Sequence, residues 1–197
     1  MGNRNPHPAR AATTDLFAWR QTLLSRRRFL LAATGGSLAA LFPLLSNDAA
    51  AKARRTDPWL LIAAVQDILF PSEPDAPGAR EINALDYLRG VLAEPRRDRE
   101  ESRLILKGAD WLDNLSRQRQ RTGFLDLADD KRDQLLHEIA ASEQGEHWLS
   151  TLLFYICEAL LTDPVYGGNP KGIGWAWLGH TPGFPRPSVD KRHGARK

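Results

Sequence analysis

Cysteine is nearly missing from this 197-residue sequence: Cys157 stands alone. No internal disulfide can form, and without Cys-x-x-Cys-His no c-type haem can be attached covalently. A charge surplus is also missing. There are 27 Lys+Arg against 24 Asp+Glu, and the excess is concentrated at one end. Residues 1–51 carry 6 basic and 2 acidic side chains, whereas residues 52–197 carry 21 and 22. The main part of the chain is therefore at −1, which leaves no electrostatic footprint for nucleic acid. Alternating strand patterns and internal repeats are absent, and nothing after residue 51 approaches the length of a membrane span. With 42% hydrophobic and 26% charged residues the composition is that of one ordinary globular domain. A multidomain enzyme, a collagen-like repeat and a wholly disordered chain are excluded.

What the N-terminus does contain is the tripartite pattern expected of an export signal. Ser25-Arg26-Arg27-Arg28-Phe29-Leu30-Leu31 precedes a mildly apolar run to Leu45, interrupted by Thr34, Gly35, Gly36 and Ser37. Ala49-Ala50-Ala51 supplies small residues at a peptidase spacing, so cleavage is expected after Ala51. The twin arginine, Arg26 and Arg27, ahead of Phe29 and Leu30, with a long polar stretch before it, resembles a twin-arginine (Tat) signal. The run is too short and too broken by glycine and proline for a membrane anchor. The Tat translocase carries folded proteins, often with a cofactor or partner attached. The expected destination is the periplasm.

Residues 52–162 read as an all-α, compact bundle of about five helices. Asp57-Pro58 opens the first, with Trp59 to Leu69 apolar on more than one face. A second is expected from about Glu81 to Ala93, with Ile82, Leu85 and Leu88 inward, stopped by Pro95. A third runs from near Arg99 to Thr122-Gly123, with Ile105, Gly108, Trp111 and Leu112 at helical spacing. Asp126 is expected to cap a fourth that carries Leu135, Leu136 and Ile139. The fifth, from about Glu146 to Thr162, is the most apolar and therefore the central one. Charge clusters around Arg96–Arg103 and Arg117–Arg121 read as solvated faces.

Residues 163–197 have a different character. Five prolines and six glycines fall between 164 and 187, together with Tyr166, Trp175, Trp177 and Phe184. Such a stretch cannot hold a long helix, yet it is too aromatic for a plain disordered tail. It either wraps its own helical body or docks on a partner, and different rings can do each. A basic tail to Lys197 follows.

Motifs for chemistry are missing. Gly167-Gly168-Asn169-Pro170-Lys171-Gly172 has neither the Gly-Lys-Ser/Thr nor the preceding strand of a phosphate loop, and the dinucleotide fingerprint fails at Trp177. His137-Glu138 lacks the second histidine of a zinc peptidase, and His137 and His147 are ten residues apart. Ser150 has no strand-turn-helix context. Catalytic, cofactor and metal residues are thus not expected in this chain. Cys157 is either a buried small hydrophobe or a candidate intersubunit disulfide.

Taken together, the leader, Phe154-Tyr155-Ile156-Cys157-Glu158, Asp163-Pro164-Val165-Tyr166-Gly167-Gly168-Asn169 and Gly172-Ile173-Gly174-Trp175 resemble the gluconate 2-dehydrogenase subunit 3 family. The likeness spans nearly the whole chain, but only the tail motif is specific, and the finish from Leu178 to Pro185 matches loosely. It implies the small (gamma) subunit of a membrane-bound, flavin-dependent sugar or alcohol dehydrogenase. FAD would be held by a glucose-methanol-choline-type flavoprotein large subunit, with haem c in a multihaem cytochrome c third subunit. The large subunit would be exported by travelling with the small one, and membrane association would come only through the complex. Tyr166, Gly167, Gly168, Trp175 and Trp177 are the expected partner interface. The competing expectation is a stand-alone exported enzyme or ligand-binding protein with a pocket under the glycine-rich loop.

Overall fold

The chain enters its first helix as the sequence predicts. The Asp57 carboxylate accepts from the Trp59 amide at 2.9 Å, and Pro58 occupies the first turn, where no N–H is required. The computed structural model describes residues 56–95 and 99–189. Those residues form six α-helices: α1 Pro58–Leu69, α2 Ala84–Leu92, α3 Arg99–Gln120, α4 Asp129–Ala140, α5 Glu143–Leu161 and α6 Ile173–Leu178. Three short 3-10 turns, Phe124–Asp126, Pro164–Tyr166 and Pro170–Gly172, connect them. There is no strand among the described residues, so the all-α expectation holds. No described helix is long and apolar enough to cross a membrane.

α5 is central, as its composition predicts. It buries Trp148, Leu149, Leu152, Leu153, Tyr155, Ile156, Ala159 and Leu160, and it packs against each of the other five helices. A helix apolar on most of its circumference is stable only when surrounded. Its crossing with α3 is set by one glycine. The buried Trp148 indole lies directly over Gly108 and donates to the Ile105 carbonyl at 3.0 Å. The absent Cβ lets the indole lie against the α3 backbone.

A second buried connection organises the other end of α3. Asp113, 7% exposed, accepts from the Phe124 amide at 2.8 Å, from Arg117 at 3.0 Å and from the Thr56 hydroxyl at 3.0 Å. It ties the first described residue and the 124–126 turn to α3. Buried carboxylates need such partners. Arg117, expected on a solvated face, is thus drawn into an ion pair; Arg119 pairs across to Glu138 at 3.0 Å.

Several boundaries differ from expectation. α2 begins at Ala84, because Asn83 is left-handed (φ 56) and breaks the turn that Glu81 was expected to start. Asp126 does not cap α4. It lies within a 3-10 turn, and Ala128 takes the cap position without a side-chain bond, leaving Asp129 and Asp130 to complement the helix dipole. α5 begins three residues early: Ser142 caps it by accepting from the Gly145 amide at 3.1 Å. Gly145 sits in its first turn because a Cβ there would collide with the Ile139 carbonyl. The sixth helix lies in the tail, where only irregular chain was expected.

Two helical glycines are predicted to respond in opposite directions. Gly90→Ala, with nothing within 4 Å of the new methyl, should gain about 0.5–1 kcal/mol. Gly108→Ala should lose about 1–3 kcal/mol, because the Trp148 indole must be displaced. Urea unfolding of both variants measures the two signs.

Candidate partner-docking surface

The tail leaves α5 through a series of unusual backbone conformations. The Asp163 carboxylate accepts from the Val165 amide at 3.1 Å and caps the Pro164–Tyr166 turn. Gly167 follows at φ +99, which glycine adopts without strain. Gly168 then passes so close to α5 that a Cβ would come within 2.7 Å of the Ala159 carbonyl. Gly174 does the same against the Leu160 carbonyl. At Gly168 and Gly174 the loop is laid directly on the helix. At these two positions the space under the glycine-rich loop is taken by the α5 backbone.

Asn169 fixes this arrangement. It is fully buried and left-handed (φ 48), a conformation asparagine tolerates better than most residues. Its amide donates to the Ile82 carbonyl at 2.9 Å, its side-chain NH2 to the Thr162 carbonyl at 3.0 Å, and its side-chain oxygen accepts from the Gly174 amide at 2.7 Å. One residue thereby joins the approach to α2, the end of α5 and the start of α6. α6 is then closed by Gly179 (φ +63), whose N–H bonds to the Ala176 carbonyl at 3.3 Å while the His180 N–H reaches the Trp175 carbonyl at 2.8 Å.

These constraints divide the expected interface residues. Trp175 and Gly168 are buried in the chain itself. Trp175 is 7% exposed, and its indole N–H donates to the Leu161 carbonyl at 2.8 Å. Tyr166 is half-buried, and Gly167 is exposed, its carbonyl 3.5 Å from the Asn83 side-chain amide. Trp177 is 42% exposed and meets Phe70, at the end of α1, edge to face at 6.1 Å. Ile173, one turn before it, and Leu178 beside it are exposed as well. Ile173, Trp177 and Leu178 with half-buried Phe70 thus form an apolar surface that the fold leaves uncovered. Arg26, Arg27, Phe29 and Leu30 lie outside the described residues.

Cys157 is a free, half-buried thiol whose pKa burial pushes above the ordinary cysteine value. It shares a helical face with Leu161, four residues on and 54% exposed, and so borders the tail. Asp163 is held below the usual carboxylate range, first by its hydrogen bond from Arg186 at 2.9 Å and then by the Val165 amide. Among the described residues, no three His, Cys, Asp or Glu converge on a point where they could hold a metal ion.

Sequence reasoning did not find Asn169, Arg186, Phe70, Ile173 or Leu178. Only Asn169 carried a local signal, as an asparagine between Gly168 and Pro170, a residue type that tolerates the left-handed conformation. Ile173 and Leu178 depend on which side of α6 faces the body, and Phe70 and Arg186 on what the tail packs against.

The family model described as Gluconate 2-dehydrogenase subunit 3 matches residues 56–183, and the chain belongs to that family. No curated protein and no solved structure matches it.

Asn169→Ala should cost about 2–4 kcal/mol. It orphans the buried Gly174 N–H and the Thr162 carbonyl, and puts a Cβ without a polar group at positive φ. Denaturant titration measures the loss. The Asp163 carboxylate contributes stability above its unfolded pKa, lost as pH falls through the depressed folded value. In Arg186→Gln, its NMR titration midpoint should move back up towards the ordinary carboxylate value.

Proposed function

We propose that this member of the gluconate 2-dehydrogenase subunit 3 family is the non-catalytic small subunit of a periplasmic, flavin-dependent sugar or alcohol dehydrogenase. It escorts the flavoprotein subunit through the Tat translocase and stabilises it. The flavin, and with it the chemistry, belongs to a glucose-methanol-choline-type large subunit; a multihaem cytochrome c is the natural third component, passing electrons to the membrane. The family's own description makes its members subunits of a dehydrogenase, and a subunit needs a surface for its neighbour.

The observation that carries the reading is the uncovered α6 face: Ile173, Trp177 and Leu178 share a short helix whose other side is fastened to α5 by Gly174 and Trp175. A rigidly mounted aromatic anchor with apolar neighbours is the composition of an interface hot spot. A flexible surface would lose more entropy on docking. The leader supplies the other half of the role. A Tat signal on the small subunit lets a folded pair leave the cell on one address, which suits a partner that must acquire FAD before export. Cys157, beside Leu161 at the border of the tail, is the residue available for a covalent bond to the large subunit.

Three measurements test this. Replacing Arg26 and Arg27 by Lys should strand the co-expressed flavoprotein in the cytoplasm; normal periplasmic delivery would remove the escort role. Trp177→Ser should weaken association with the flavoprotein about tenfold or more. Leu60→Ser should leave it unchanged, since Leu60 is exposed ten residues up α1 from Phe70, about 15 Å away. In the non-reduced complex, mass spectrometry should find Cys157 bonded to a cysteine of the large subunit; free alkylation of Cys157 there removes the covalent link but not the docking.

A further inference from the structure

Beyond Gly179 the chain turns back over Trp175. The His180 ring lies 6.1 Å from the indole, and the Arg186 guanidinium sits over it at 5.0 Å while bonding Asp163 at 2.9 Å. The indole thus has two kinds of neighbour. The body holds it through the Leu161 carbonyl and through Gly172, where a Cβ would lie 3.1 Å from the ring. The returning segment only covers it. Among the described residues, the polar hold on 181–189 is the Arg186 side chain, itself 41% exposed. Its two largest apolar side chains do not anchor it, Phe184 being 86% exposed and Val189 69%, and only Pro182 and Pro187 are half-buried.

Exposed ion pairs contribute little, and a cation over an indole adds a modest amount. The closed segment is therefore held weakly over a tryptophan that is mounted strongly. Lifting it would bare a large ring whose N–H is already satisfied, so no polar group would be left unpaired. The bared ring would adjoin exposed Leu161, whose carbonyl holds it.

We infer that residues 181–189 are a strap that shields Trp175 in the free subunit and is displaced when the flavoprotein docks, so that Trp175 becomes a second anchor beside Trp177. This rests on the accessory-subunit reading above. It also assigns the strap a purpose: it covers apolar surface that would otherwise promote self-association before a partner is met. The partner must then compete with the strap, and the affinity of the free subunit is reduced by the fraction of molecules in which the strap is closed.

The test uses the full chain carrying Arg186→Glu, in which Asp163 repels the strap. Acrylamide quenching of the isolated subunit, with Trp175→Phe in each background as the blank, should show Trp175 newly accessible while the subunit still melts in one cooperative transition. Association with the purified flavoprotein should be about tenfold faster than for the native chain. If Trp175 stays shielded in Arg186→Glu, Arg186 is not the hold and the inference fails. If it is bared but binding is unchanged or weaker, the strap is not a shield; it is either irrelevant or part of the interface, and the accessory reading stands. If neither chain binds the flavoprotein, the accessory reading itself fails and the strap's role falls with it.

Discussion

Asn169 has no exposed surface, and each of its polar groups is satisfied by a different part of the chain. Everything distinctive about the C-terminal segment depends on that. A stretch so rich in glycine and proline has little propensity of its own to hold a six-residue helix, and an isolated helix of that length does not form in water. α6 exists because its first amides and its outer face are positioned for it. Gly174 is drawn onto Asn169, Trp175 is hydrogen-bonded to α5, and Gly179 turns the chain out of the last turn. The glycines at 168 and 174 have the complementary role of letting two backbones approach without a side chain between them.

The consequence is a division of labour among aromatic residues that look alike in the sequence. Trp175 and Trp177 are two residues apart on one short helix, so they point in different directions from its axis. One is used as cement, with its indole N–H bonded to a helix-end carbonyl that would otherwise lack a partner. The other is left half in solvent against the edge of Phe70. A chain that is to meet a partner needs both: a mounted helix, and a face of it that the fold does not consume. The strap over Trp175 fits between these roles, since it covers a ring already fixed in place and is itself held by one exposed arginine.

At the opposite end the body is closed in a comparable way. Thr56, the first described residue, is bonded to the buried Asp113, which also holds Arg117 and the Phe124 amide.

Much of this was legible in residue order alone. Helical periodicity, the Asp57-Pro58 start and the excess of apolar residues in 146–162 determined an all-α body with α5 at its centre, because amphipathic patterns and caps act over a few residues. The tail motif around Tyr166–Asn169 carried the family. Boundaries failed where a neighbour in space decided them. Glu146 reads as the start of α5, but Gly145 already lies in its first turn against Ile139, and Asp126 reads as a cap but is taken up by a 3-10 turn. Composition also identified the tail as aromatic surface, but it could not say which ring faces in. That was decided by tertiary structure, because the direction of a side chain on α6 depends on how the helix is pinned to α5 by Asn169, Gly174 and Trp175, and those contacts join residues that local pattern cannot relate.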